Sequence, residues 1–200
     1  MSLAIPLAGR RGSGARRSLV PHLFAALALI GAVQAAGAAW IPAKAMLAQV
    51  LLERAFDASR ASGRPEKPWP WADMAPLARI AVPRLGERAI VLSGASGEAM
   101  AFGPTRLATD PASGITVLAA HRDTHFAFIR RLRLGDLVTR ETIDGHRTTY
   151  RVEGFATLRW DRFAVPRSGH GEWLALTTCY PFDGGTRSPL RRIVWARRVG

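Results

Sequence analysis

Between Ser18 and Ala43 the chain carries no charged residue, and the run LVPHLFAALALIGAVQAAGAAWIPA is apolar almost throughout. At about 1.5 Å of rise per helical residue, such a run crosses a hydrocarbon core of about 30 Å. A globular core has little use for a helix that is apolar on every side, so a membrane anchor is expected over 19–42. Pro21 suits the first helical turn, Pro42 is read as its stop, and Trp40 sits where an interfacial aromatic belongs. Arg10, Arg11, Arg16 and Arg17 precede the run and make 1–18 a cytoplasmic basic leader, which sends the C-terminal bulk across the membrane. Two readings compete, a buried core helix and a signal peptide cleaved after Val33-Gln34-Ala35. Anchor and signal peptide share one consequence: the rest of the chain is extracytoplasmic.

The formal charge of +13, from 28 basic and 15 acidic residues, invites a nucleic-acid partner, but its distribution argues against one. Four of those charges belong to the leader, and Lys44 and Lys67 are the only lysines. The remaining arginines are dispersed, with no basic stretch interleaved with aromatics. No nucleic-acid partner is expected. A single cysteine among 200 residues excludes an intramolecular disulfide, a cysteine-rich zinc module and a Cys-x-x-Cys redox centre. With 48% hydrophobic residues, the chain can bury a core.

Ala45 to Ala61 reads as a helix, with Met46, Val50, Leu51 and Phe56 apolar and Glu53, Arg54 and Asp57 on a wet face. The prolines of SGRPEKPWPW break it, so 43–71 is a helix with a Pro-rich linker and 72–200 a separate domain. That domain consists of short apolar runs between turn residues: 78–83, 88–93, 114–120, 136–143, 148–158, 172–179 and 190–199. Polar and apolar residues alternate over 147–152 and 191–197, the mark of strands with one buried face. Asp144-Gly145 is a hairpin signal, and 126–132 resembles one short helical turn. Seven or more strands and little helix predict an all-β sandwich or barrel.

Cys179 ends the apolar run WLALTT and opens the loop YPFDGGTRSP, where a fixed and accessible nucleophile can sit. Most free cysteines are small buried hydrophobes, so the thiol needs partners before it means chemistry. His121 also ends a strand-like run, ITVLAA, and strand pairing could bring it beside Cys179. His121 and His125 have the helical His-x-x-x-His spacing of a zinc site, but Arg122 stands where that site needs glutamate, and no third ligand is evident. No metal or other cofactor is expected. Asp123 is a conceivable third member of a triad or a surface turn residue. Arg191 and Arg192 open the last strand and point to opposite faces; either can look toward the Cys179 loop.

LALTTC followed by PLRRIV, together with the histidine loop HRDTHF, resembles the signature of the sortases. The stretch WPWADMAPLARIAVPRLGERAIVLSGASGEAMAFGP and TTCYPF are most similar to the Gram-negative, marine proteobacterial type called class GN. The resemblance spans about Trp69 to Val199. It implies a closed eight-stranded β-barrel with short helices, preceded by the transmembrane helix. It also implies a cysteine transpeptidase that cleaves a partner protein's C-terminal sorting signal through a thioester and passes the acyl group to an amine. By motif position, Cys179 is the nucleophile, His121 the acid/base partner and Arg191, directly after Pro189-Leu190, the oxyanion and substrate arginine. Ala175 and Ala120 depart from the family pattern, where threonine and glycine are common; neither change removes a reactive group. The implied setting is a single-pass inner-membrane protein with a periplasmic catalytic domain. The implied substrate is a sorting-signal protein, with one dedicated protein carrying von Willebrand type A and inter-α-trypsin-inhibitor-like regions as the candidate. A hydrolase with the same site, and a non-catalytic anchored β-barrel binding module, are the alternatives. The loop Trp160–Gly171 is expected to shape the substrate groove.

Overall fold

The computed structural model describes residues 14–94, 97–110, 114–162, 171–183 and 188–199. Arg10, Arg11 and most of the Trp160–Gly171 loop fall outside them. The chain divides into two units, Met1–Met46 and Leu47–Gly200.

The described residues of the first unit are helical. Helix α1 runs unbroken from Gly14 to Ser62, with Pro21 and Pro42 inside it. This corrects the expectation that Pro21 opens a helix, Pro42 stops it and a second helix begins at Ala45. A proline removes one backbone hydrogen bond; the alanine-rich flanks around Pro42 are strong helix formers and carry the helix past it. The described residues from Leu19 to Leu47 are exposed on every side, Leu23 by 68% and Phe24 by 67%. A helix apolar all round matches a membrane span, and this stretch has the length and hydropathy for one.

In the second unit α1 ends where the sequence turns to SGRP. Gly63 takes φ 69° and returns its N–H to Ser59 at 2.9 Å, the left-handed cap that glycine adopts without strain. Before that end, Leu52 and Phe56 pack with Met74, Ile90, Leu92 and Ala99. Phe56 is fully buried, with the Arg79 guanidinium 4.4 Å from its ring centroid. Arg79 in turn meets Glu53 at 2.6 Å and Asp57 at 3.1 Å. Phe56→Ala is expected to destabilise this unit by about 3–5 kcal/mol through the cavity it leaves, read as a lower midpoint in thermal unfolding of the detergent-solubilised chain.

The described residues form eight strands, β1 (Pro76–Val82), β2 (Glu87–Leu92), β3 (Thr105–Asp110), β4 (Ile115–Ala119), β5 (Leu137–Thr142), β6 (Arg147–Arg159), β7 (Trp173–Cys179) and β8 (Leu190–Arg198). They close in the order β1-β2-β3-β4-β7-β8-β6-β5, the closed eight-stranded barrel expected. A short helix α2 (Gly97–Phe102) precedes β3, and residues Ala127–Arg131 form the expected helical turn, of 3-10 type. Asp144-Gly145 makes the β5–β6 hairpin, with Gly145 at φ 84° and its N–H on Thr142 at 2.9 Å. β3 has no counterpart in the sequence reading. Its residues TRLATD form no apolar run, and it meets β2 only at Leu92↔Thr105.

Residue parity sorts the barrel wall into two faces. Ile80, Val91, Leu118, Val138, Tyr150, Leu174, Leu176, Val194 and Ala196 fill the interior. Ile115, Val117, Ala175 and Ile193 form a second buried cluster on the outer face of β4, β7 and β8. This two-sided burial explains why ITVLA and LALTT read as continuous apolar runs. At the mouth where β4 and β7 begin, Glu172 accepts hydrogen bonds from Arg140 at 3.1 Å, Tyr150 at 3.1 Å and Arg198 at 2.7 Å. Burial pushes the Tyr150 hydroxyl up to about 12.

Asp136 is buried and accepts a forked pair of hydrogen bonds from Arg84, at 2.5 and 2.7 Å, and one from the Arg133 amide at 2.7 Å. The Arg84 contact holds its carboxyl below the usual carboxylate value. A depressed carboxylate contributes stability that is complete above about pH 4 and lost as pH falls through the folded-state value. Asp136→Asn is therefore expected to lower the melting temperature at neutral pH and to flatten its fall on acidification below about pH 4.

Candidate active site

β4 and β7 run parallel, with Leu118 opposite Leu176 and Ala119 opposite Thr177. Parallel strands end at the same rim. β7 runs on to Cys179, whose side chain leaves the outer face as that of Thr177 does, while β4 ends at Ala119 and His121 follows two residues later. The junction is tied twice: the Ala120 N–H donates to the Thr177 carbonyl at 3.3 Å, and the buried Thr178 Oγ1 donates to the Ala120 carbonyl at 2.7 Å.

β8 supplies the third member. It pairs antiparallel with β7, and Arg191 lies directly opposite Cys179, so both side chains leave the same face. Arg192, opposite Thr178, points into the barrel, where it donates to Thr157 Oγ1 at 3.2 Å and lies 4.8 Å from the Phe155 ring centroid. Pairing thus puts Arg191, and not Arg192, on the face that Cys179 leaves. Arg191 Nη1 donates to the Ser188 and Leu190 carbonyls at 3.1 and 2.9 Å, which pins the guanidinium at the rim.

His121, Cys179 and Arg191 line one pocket of about 400 Å³, together with Met100, Leu107 and Trp160. Cys179 is half-buried, open enough to be reached and sheltered enough for nearby charge to matter. Met100, Leu107 and Trp160 add an apolar wall. Trp160 opens the loop expected to shape the groove, while 163–170 lie outside the described residues. Met100 and Leu107 were not read as site residues; they sit on α2 and β3, elements without a clear sequence signal.

The other candidates go elsewhere. Asp123 accepts both ends of the Arg122 fork, at 2.9 and 3.0 Å, and that contact holds its carboxyl below the usual range. It is an exposed turn residue engaged by arginine. His125 Nε2 lies 3.3 Å from the Ala101 carbonyl, and burial lowers its tendency to protonate. Among the described residues no group of three potential metal ligands occurs.

The chain matches the family model for the sortase domain over residues 80–199. Among solved structures, it superposes on sortase A from Corynebacterium diphtheriae with a TM-score of 0.56 and 19% identity, covering 65% of this chain and 63% of that one. For sortase C from Streptococcus pneumoniae the values are 0.54 and 22%, with 61% and 65% covered. For a sortase D5 transpeptidase from Clostridium perfringens they are 0.60 and 15%, with 78% and 99% covered. The chain thus spans less than two thirds of the first two structures. Identities this low speak for a shared fold. No curated relative matches the chain significantly.

Proposed function

The chain belongs to the sortase family, and on that premise we propose that it is a membrane-anchored cysteine transpeptidase acting on a sorting-signal protein. The observation that carries this reading is the placement of His121, Cys179 and Arg191 around one pocket at a single rim. In the proposed reaction the Cys179 thiolate attacks the scissile carbonyl, and the negative oxygen that develops faces the Arg191 guanidinium. The C–N bond breaks as His121 protonates the leaving amine, and the acyl group remains on sulfur as a thioester. An incoming amine, giving its proton to His121, then takes the acyl group and restores the thiolate beside a protonated His121.

The finer assignments belong to the same proposal. The apolar run of α1 anchors the protein in the inner membrane with the barrel in the periplasm, a reading supported by the basic leader. The class GN motifs support few substrates, with a dedicated von Willebrand type A protein as the candidate and an amine acceptor of unassigned identity.

The test is intact mass spectrometry of the full chain in detergent, mixed with a panel of sorting-signal peptides. An acyl adduct on Cys179 that hydroxylamine releases supports the mechanism, as does acyl transfer to an added amine. Cleavage to free acid only, whatever amine is added, would make the protein a hydrolase. Rapid cleavage without any adduct would mean another nucleophile.

A further inference from the structure

The residue after the histidine has no part in the reaction just described, yet its side chain is only 12% exposed. Burying a guanidinium is costly unless its donors are engaged, and those of Arg122 are. Nε and Nη2 grip both oxygens of Asp123, and Nη1 donates to the Pro181 carbonyl at 2.5 Å. Asp123 lies two residues beyond His121 and Pro181 two beyond Cys179. One planar group therefore bonds to both loops that leave the β4 and β7 rim, and its charge is within electrostatic reach of Cys179.

A solvated surface pair between neighbours would hold neither loop. Here the fork to Asp123 fixes the plane of the guanidinium, and the third bond crosses from one loop to the other. The Tyr180 amide, donating to the Leu190 carbonyl at 3.1 Å, ties the cysteine loop to β8 from the other side. Positioning matters at such a site because small displacements of reacting groups cost large factors in rate.

We propose that Arg122 is a positioning residue: it straps the histidine loop to the cysteine loop and holds a positive charge at the rim where Cys179 ends β7. The proposal rests on the reading of Cys179 as the nucleophile. Its test needs no substrate, because Cys179 is the chain's only cysteine and alkylation by iodoacetamide reports on that sulfur alone. The full chain in detergent is labelled at neutral pH and the rate followed by mass. Arg122→Gln keeps donors but not charge, and is expected to slow labelling roughly three- to ten-fold. Arg122→Lys keeps the charge and is expected to restore most of the rate. Asp123→Ala, which frees the fork but leaves the charge, should fall between them.

Labelling of Arg122→Gln at the wild-type rate overturns the proposal. So does equal slowing in the glutamine and lysine variants accompanied by an equal drop in melting temperature, which is the pattern of a purely structural contact. These outcomes are separate from failure of the transpeptidase reading, which appears as a wild-type chain that forms no thioester.

Discussion

Replacing Cys179 by alanine is expected to abolish peptide processing, by on the order of 10⁴-fold or more, while the barrel stays folded. The size of the effect follows from the chain's having one thiol: no second thiol can take over the covalent step. The folded state should survive because Cys179 is the last residue of β7, half-buried and on the outer face. The interior is packed by Leu174 and Leu176 from the same strand, and neither touches the substitution. The measurement pairs turnover of a sorting-signal peptide with a thermal melt of the same sample. Activity surviving in Cys179→Ala would remove the nucleophile from the proposal. Lost activity with a collapsed melt would leave it to Cys179→Ser, which keeps the shape with a far weaker nucleophile.

Arg191→Ala is expected to lower kcat by roughly 10²–10³-fold, the usual loss when a preorganised oxyanion donor is removed. Peptide KM should change little, since the contact strengthens only as charge develops on the oxygen. Arg192→Ala is the matched control. That side chain lies inside the barrel against Phe155 and Thr157, so its loss should lower the melting temperature and leave kcat near wild type. Arg191→Lys keeps the charge without the planar fork and should fall between alanine and the native residue. If Arg192→Ala loses turnover and Arg191→Ala does not, the placement of Arg191 opposite Cys179 is irrelevant to the chemistry.

Much of the architecture is legible because its causes are local. The uncharged run before Ala43 declares a helix suited to a membrane wherever it is put. Alternation over 147–152 and 191–197 declares strands with one wet face, and Asp144-Gly145 declares a hairpin. Local rules also fail in places. Pro42 does not stop α1, because the strong helix formers on both sides carry the helix past it despite a cost of about 3 kcal/mol. TRLATD becomes β3 because its neighbours leave it a place in the barrel, a cause invisible within those six residues.

The site divides the same way. The sequence by itself determined which reactive groups exist: one thiol, a histidine at a strand end, and two adjacent arginines of which one faces the thiol. Motif position already favoured Arg191; only the tertiary structure decided what the groups meet. The parallel register of β4 and β7 brings the ends of the two strands to one rim, where His121 and Cys179 line the same pocket, and the antiparallel register of β7 and β8 sets Arg191 across from Cys179. Arg122 gains its crossing bond to Pro181 only when those two strand ends are side by side. Register is fixed by burial of the whole sheet against its core. A one-residue slip would turn every side chain to the opposite face, so no short stretch of sequence contains it.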